Sequence, residues 1–371
     1  MRAVDLTTLR LDADLDVEPE FDFLSDEYRA FYRPERATAF QAPIWMDMIH
    51  RRLAPALRAK QHTITLRERG TGALKGVLPF VLQRSKGISM LLFADFGVCD
   101  YNAPVADRHT LSMMAADADL LARLDDLTKP CDLILLRKVR DDSFDIGQLV
   151  KHSTRSVTEN AAYHCEIGDD LEAWRVGVLN KKFSKELDRL QRQAEREFGS
   201  YEHRAAANEN EIRTAFEFLQ RARKGRFEED LLDKPHYFEF YRDYAIAARE
   251  SGEAITYVSY MAGQPVAALF GVAGDGEFHA LLLSSDMEKF RKSKPGIQIF
   301  YQIMQKRFIE GFRSFDMGLG NSGYKSDFSV ETTYLRNYTR TRTVKGSALA
   351  LIYNRAKPVK NFLRKYVSNV R

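Results

Sequence analysis

Tyr324 and Lys325 stand side by side near the end of a stretch, Asp316 to Phe328, that reads D-M-G-L-G-N-S-G-Y-K-S-D-F. A phenol donates a hydrogen bond while neutral, and an ammonium stabilises nearby negative charge. Acyl transfer from a thioester needs both kinds of group, donors for the tetrahedral oxyanion and an acid for the departing thiolate. Tyr324 suits the acid or an oxyanion donor. Lys325 suits stabilisation of the intermediate or the holding of a phosphate. Transfer also needs a base for the attacking amine or hydroxyl, and Asp286 and Asp316 are the candidates for that role or for orienting the substrate. Asp316 has an equal second reading, as a strand-end residue that holds the turn behind it. His279, in mid-strand, ranks below Asp286, since a lone histidine there is more often structural.

A second chemical signal lies upstream. Arg291-Lys292-Ser293-Lys294-Pro295-Gly296 ends where a helical pattern begins at Ile297. The first N–H groups of a helix lack partners within it, and its N-terminus carries partial positive charge. With Arg291, Lys292 and Lys294 added, this helix start suits the pyrophosphate of coenzyme A, held at Gly296 and Ile297. An ordinary cationic turn before a core helix has the same appearance.

Period and punctuation give the elements that must position both signals. Ile255 to Ala262, Val266 to Ala273 and Glu277 to Ser285 are strand-like runs separated by Gly263-Gln264-Pro265 and Gly274-Asp275-Gly276, which predicts an antiparallel meander. Ile297, Phe300, Met304 and Phe308 then recur at helical spacing, with Ile299 and Ile303 widening the stripe, until Gly311. Ser314 to Met317 is a short strand leading into the glycines. The first half repeats this order: strands at Thr63 to Arg67, Gly76 to Gln83 and Ile88 to Phe93, a helical stretch from His109 to Leu127, and a strand from Cys131 to Leu136. Between the halves lie three helical segments, Asn180 to Phe198, Asn208 to Arg223 and Pro235 to Glu250. The first carries a basic stripe, Lys185, Arg189, Arg192 and Arg196, which is either a solvated face or a ridge for polyphosphate or an RNA backbone.

These pieces resemble the GNAT superfamily, and more closely the double-domain acyltransferases grouped as CelD-like and BioF2-like. Those proteins carry a strand ending in Asp, a basic loop with Pro-Gly opening a helix, then D-x-x-x-G and Y-K. Asp286, the loop to Pro295-Gly296, Asp316, Gly320 and Tyr324-Lys325 stand at those places. Upstream, Thr38 to Trp45 (T-A-F-Q-A-P-I-W), Asp100-Tyr101-Asn102-Ala103-Pro104 and the Ser184-Lys185 helix agree with the CelD-like pattern. The ending is also similar to that of Fem-type peptidyltransferases, which move amino acids from aminoacyl-tRNA and whose matching lysine is implicated near the transferred carbonyl. The resemblance implies an α+β fold of two tandem GNAT-like domains, with mixed, mostly antiparallel sheets flanked by helices and a helical insert between them. It implies acyl-CoA as donor, and it tips Asp100, Tyr101, Asn102 and Lys185 toward substrate binding. One position departs from the GNAT phosphate loop, R/Q-x-x-G-x-G/A: Gln298 stands where the second small residue belongs.

A chain of 371 residues with a net charge of +4 is comfortable for two domains. The expected division is residues 1–175, a non-catalytic GNAT-like domain; 176–345, the acyltransferase domain with the insert at 180–250; and 346–371, a basic helical tail. After Glu331 there are ten lysines and arginines and no acidic residue, a composition open to anionic lipid, tRNA or a nucleotide-linked sugar. Cys99, Cys131 and Cys165 are isolated, and the eight histidines are scattered. This argues against a disulfide framework or a zinc site, and no metal is expected. No apolar run approaches the roughly 20 residues of a membrane span, and the acidic N-terminus has no signal-peptide core, so the expected location is cytoplasmic, with peripheral membrane contact through the tail. The reading is an acyltransferase that moves an acetyl or longer acyl group from acyl-CoA to an amine or hydroxyl, on a small molecule or a glycan precursor, in a cleft between the halves. The alternatives are Fem-like transfer from aminoacyl-tRNA and a non-enzymatic scaffold of polysaccharide synthesis.

Overall fold

A computed structural model describes residues 11–158, 160–179, 181–226, 230–274, 276–320 and 323–356. The chain divides into two compact units, one built from residues up to 159 together with those from 334, the other from residues 160–333.

In the first unit, β1 (Ala13–Glu18), β3 (Thr63–Glu68) and β4 (Leu74–Leu78) form a small antiparallel sheet. A larger sheet holds β2 (Ala59–Gln61), β5 (Phe80–Ser85), β6 (Ile88–Phe93), β7 (Leu133–Arg140), β8 (Thr154–Val157) and, from far down the chain, β16 (Leu335–Thr341). Its order is β2-β5-β6-β7-β16-β8, with β6 and β7 parallel. The expected single strand from Gly76 to Gln83 is two strands in two sheets. Pro79 separates them, since proline has no N–H to give a ladder. Helices α1 (Asp26–Phe31), α2 (Pro43–Met48) and α3 (Ala54–Ala56) precede these strands, and α4 (Arg108–Ala116) and α5 (Ala118–Leu127) join β6 to β7. The expected helix from His109 to Leu127 breaks at Asp117, which is extended and caps α5 by accepting from the N–H groups of Asp119 and Leu120.

In the second unit, one sheet runs β10-β11-β12-β13-β14-β9-β15. Its strands are β9 (Ala162–Glu166), β10 (Tyr201–Ala205), β11 (Ala254–Met261), β12 (Gln264–Gly274), β13 (Glu277–Ser285), β14 (Ser314–Leu319) and β15 (Glu331–Thr333). Its helices are α6 (Leu171–Ala173), α7 (Lys181–Phe198), α8 (Glu209–Arg223), α9 (Pro235–Ala247) and α10 (Pro295–Ile309). Central β12 is buried from Val266 to Ala273 because helices cover both of its faces. Ala267 and Leu269 pack with Ile299, Phe300 and Ile303 of α10. Phe270, pointing the other way, meets Phe216 of α8 and Tyr241 and Tyr244 of α9. Both units therefore carry a strand meander, a helical crossover and a parallel strand, the mixed α+β plan read from the sequence.

The division falls at 159 and 333 rather than at 175 and 345, because two strands join sheets far from their neighbours in sequence. β9 pairs antiparallel with β14, which places residues 160–175 in the second unit. β16 pairs with β7 and β8, which places residues 334–345 in the first. Helix α11 (Val344–Leu351) also packs in the first unit, and a Cβ on its Gly346 would collide with the carbonyl of Asp132. Part of the basic stretch after Glu331 is folded in: Arg340 and Arg342 ion-pair with Asp125 at 2.5 and 2.8 Å. Of the helical tail expected over 346–371, residues 357–371 lie outside the described residues.

Two half-buried histidines are held as neutral rings. His50 stacks on Phe23 at 5.1 Å, and burial holds its pKa down to about 4. His203 bridges Ser259 Oγ at 2.8 Å and Gln191 Oε1 at 3.0 Å, and burial, with Lys306 adding repulsion, holds it down to about 3. Both rings take up protons more readily in the unfolded chain. Their contribution to stability is complete above 6.5 and is lost as pH falls toward 4. Thermal denaturation followed by circular dichroism should show Tm falling over that window, with a shallower fall in His203→Gln.

Candidate functional site

Strands β13 and β14 run parallel and pair at Glu277 with Ser314, Phe278 with Phe315 and His279 with Asp316. Beyond that third rung the pairing stops. Phe270 of β12 opposes Leu282 whereas Gly271 opposes Ala280, so Leu281 is the extra residue of a bulge in β13. A bulge bends its strand and increases the local twist, which carries β13 away from β14. A cavity of about 520 Å³ lies where they part, with Leu281, Leu283, Met317 and Leu319 among its walls. It sits beyond the carboxyl ends of neighbouring parallel strands, where open sheets hold ligands, and its size suits a small-molecule site. Every residue lining it belongs to the second unit.

The start of α10 forms one wall. Lys294 takes a left-handed conformation at φ 47°, and the N–H groups of Ile297 and Gln298 both return to its carbonyl at 3.0 Å. A Cβ on Gly296 would lie 2.9 Å from Ser285 Oγ, so the helix start abuts the end of β13 and a larger residue there must displace that hydroxyl. Lys294, Gly296 and Ile297 line the cavity. Lys294 Nζ also donates to Glu186 of α7 at 2.7 Å. Arg291 and Lys292 are exposed on the preceding turn and do not line the cavity. Gln298 is buried and donates to Leu187 O at 2.6 Å, which ties α10 to α7.

The glycine-rich ending forms the facing wall. The Tyr324 ring packs on Phe300 at 5.9 Å, and both line the cavity. Lys325 is 3% exposed. Its ammonium donates to Gly318 O at 2.8 Å and Leu319 O at 3.2 Å, and stands 5.0 Å from the centre of the Tyr163 ring. These carbonyls fix the position of the ammonium on the cavity wall. One cavity thus brings together Gly296, Tyr324 and Lys325, as the sequence reading places them.

The carboxylates sit otherwise. Asp286 accepts from the N–H groups of Glu288 and Lys289 at 3.1 and 3.0 Å, an Asx-type turn. Asp316 is buried and accepts from Gly318 N–H at 2.6 Å. Neither lines the cavity, which corrects the expectation of a base at either place. The turn-holding reading of Asp316 fits the geometry: it fixes Gly318, whose carbonyl in turn seats Lys325. In the first unit, Tyr101 is buried between Phe40 and the Arg140 guanidinium, and Asn102 donates to Asp95 and to Arg137 O, so both are interior residues. Lys185 is exposed on α7.

Sequence reasoning missed Arg223 and Arg226, which also line the cavity. Arg223 donates to Asp230 at 2.7 Å and to Leu283 O at 3.0 Å; Arg226 donates to Ser284 Oγ and Ser285 O, both at 3.2 Å. In sequence they read only as cations closing a helix. Missed too was a polar cluster on the other face of the β13–β14 rungs, His164, Glu277, His279 and Asp316. Burial lowers His279, but Glu277 and Asp316 outweigh it and hold the ring above its ordinary pKa. Burial raises Glu277, and the two imidazoles outweigh that and hold its carboxyl well below the usual range.

Asp316→Ala should destabilise the second unit by about 3 kcal/mol, since it strips a buried network of its central acceptor. Asp286→Ala should cost about 1 kcal/mol, the worth of an exposed turn bond. Urea midpoints of the two variants check the difference, and equal losses would contradict it.

Residues 181–326 match the sequence profile of the acetyltransferase (GNAT) domain. Among solved structures, the chain is similar to FemX, with 12% identity and a TM-score of 0.61 over 89% of this chain and 98% of that one. It is similar to L-PGS from Bacillus licheniformis, with 11% identity and a TM-score of 0.53 over 89% and 96% of the two chains. It is also similar to the C-terminal domain of a putative lysylphosphatidylglycerol synthetase from Agrobacterium fabrum, with 12% identity and a TM-score of 0.50 over 82% and 96%. No curated protein matches the sequence.

Proposed function

We propose, for a chain with a GNAT-like fold of the Fem-related type, that the second unit is an acyltransferase whose cavity takes an acyl thioester of coenzyme A. The observation that carries this reading is the meeting of the α10 start, Tyr324 and Lys325 at one cavity. A pyrophosphate would accept from Gly296 N–H, the Ile297 N–H being already given to Lys294 O, and draw on the charge of Lys294, with Arg291 and Lys292 strengthening the field at the entrance. The edge of β13 that β14 leaves after His279 offers backbone groups to the amides of a pantetheine arm. The acyl group would rest among Leu281, Leu283 and Met317.

Chemistry then needs little motion. An amine or hydroxyl of the acceptor attacks the thioester carbonyl and gives up its proton to water, since neither Asp286 nor Asp316 lines the cavity. Lys325 stabilises the oxyanion, the C–S bond breaks, and Tyr324 donates a proton to the departing thiolate. Arg223 and Arg226 supply cations for an anionic group on the acceptor, a small molecule or a glycan precursor. Lys185 stands as a further acceptor contact, and the basic residues from Lys345 onward as a contact for an anionic membrane. Among the described residues, no helix is long and apolar enough to cross a membrane.

A second reading is transfer from aminoacyl-tRNA. The likeness to FemX and the exposed Lys185, Arg189, Arg192 and Arg196 along α7 favour it, since such a row suits a phosphate backbone. Thermal denaturation with acetyl-CoA, longer acyl-CoAs and aminoacyl-tRNA separates the readings. A ligand at about 100 times its Kd adds about 2.7 kcal/mol to the folded state. Stabilisation by an acyl-CoA supports the first reading, and stabilisation by aminoacyl-tRNA alone supports the second. A protein that responds to neither is a scaffold.

Lys325→Met, which keeps the length of the side chain, should lower kcat about 100-fold while donor affinity changes little. Gly296→Val should raise the donor Kd about tenfold, because the branched side chain forces Ser285 and the helix start apart. Titration calorimetry with acyl-CoA reads the second effect without turnover, and an unchanged Kd would remove Gly296 from the donor site.

A further inference from the structure

The polar cluster behind the cavity is arranged as a donor set. Along β13 and β14 alternate side chains face opposite ways, so Phe278 and Phe315 reach the α10 core while Glu277, His279 and Asp316 face away from it. His164 of β9 stands level with Asp316 on the same face. His164 Nδ1 lies 2.8 Å from Glu277 Oε1, His279 Nε2 lies 3.2 Å from Glu277 Oε2, and His279 Nδ1 lies 3.6 Å from Asp316 Oδ2. One ligand atom from each of His164, Glu277 and Asp316 falls within 4.8 Å of the other two. His164 Nδ1 is fully enclosed, yet makes no aligned hydrogen bond to the carboxylate beside it. A ring nitrogen that is close to an oxygen but off its line is aimed at a point between them.

We infer that His164, Glu277 and Asp316 bind one divalent transition-metal ion, with the His279 ring bridging the two carboxylates beside it. One imidazole with two carboxylates suits Zn²⁺, Co²⁺, Mn²⁺ or Fe²⁺, whereas Mg²⁺ and Ca²⁺ favour all-oxygen sites. The outer shell agrees. His164 Nε2 lies 2.6 Å from Glu166 Oε1, so a ring bound through Nδ1 would give its other N–H to a carboxylate, the arrangement that orients metal-bound histidines. The charge agrees as well. Glu166, Glu277 and Asp316 bring three negative charges to two imidazoles, and the ion pairs of Glu166 and Glu277 among the described residues are to histidine alone. Bonds of about 2.1 Å keep donors within about 4.2 Å of each other, so the set needs to close by about 0.6 Å, which side-chain torsions supply. His164 and Glu277 are 17% and 22% exposed, which gives an ion a way in. Bound there, it would clamp β9, β13 and β14 together at the last rung before the cavity opens.

The test uses untagged full-length protein stripped with a chelator, and Zn²⁺ and Co²⁺ as separate probes in titration calorimetry and thermal denaturation. One ion per chain and a raised Tm are expected, with affinity at least tenfold weaker in both Glu277→Gln and His164→Gln. His236→Gln, outside the cluster, should bind as the unaltered protein does. No saturable binding, equal binding by the two cluster variants, or stronger binding of Mg²⁺ or Ca²⁺ than of Zn²⁺ would overturn the assignment. If Glu277→Gln does not fold, as judged by circular dichroism, His164→Gln decides. The readout is independent of acyl transfer, so it stands or falls apart from the proposed function.

Discussion

The rung between His279 and Asp316 is the constraint on which the rest of the second unit depends. Up to it, β13 and β14 are one parallel ladder. After it, the bulge at Leu281 turns β13 aside, and the space that opens is the cavity. The loss of ladder bonds is confined to the ends of two strands whose remaining neighbours, β12 and β9, keep them in the sheet. A helix start and a glycine-rich return then close the space from either side. Because Gly296 has no Cβ, α10 begins in contact with Ser285 at the far end of the same bent strand.

The same rung carries a chain of hydrogen bonds to the proposed chemistry. Asp316 holds Gly318 N–H, and Gly318 and Leu319 hold the Lys325 ammonium through their carbonyls. A lysine almost wholly withdrawn from water costs several kcal/mol unless its donors are met. Here backbone dipoles meet them, so the charge stays at a fixed place on the cavity wall. A charge held in advance of reaction needs no reorganisation when an oxyanion forms, which is the physical content of electrostatic preorganisation. Burial, turn geometry and function are coupled through three residues of one short strand and its return.

Much of this was legible in the sequence because the signals are local. The meander from Ile255, the helix after Pro295-Gly296 and the strand at Ser314 each announce themselves by their own period and turns. Tyr324 and Lys325 could be paired with Gly296 because all three belong to adjoining elements of that run. What escaped is non-local. β9, β15 and β16 are short strands whose partners lie far off in sequence, and they alone shift both unit boundaries. Asp286 and Tyr101 have the chemistry of site residues, but a turn and a core took them, and no spacing foretells that. His164 and Glu277 are 113 positions apart in sequence and share a face only once β9 lies against β14.

The most direct measurement is the structure of the protein bound to a non-transferable thioether analogue of acyl-CoA. The account places the pyrophosphate at Gly296 N–H, the pantetheine arm along β13 beyond His279, and the thioether sulfur beside Tyr324 and Lys325. An analogue found elsewhere on the chain, or lying in the cavity with its sulfur turned away from those two residues, would contradict it.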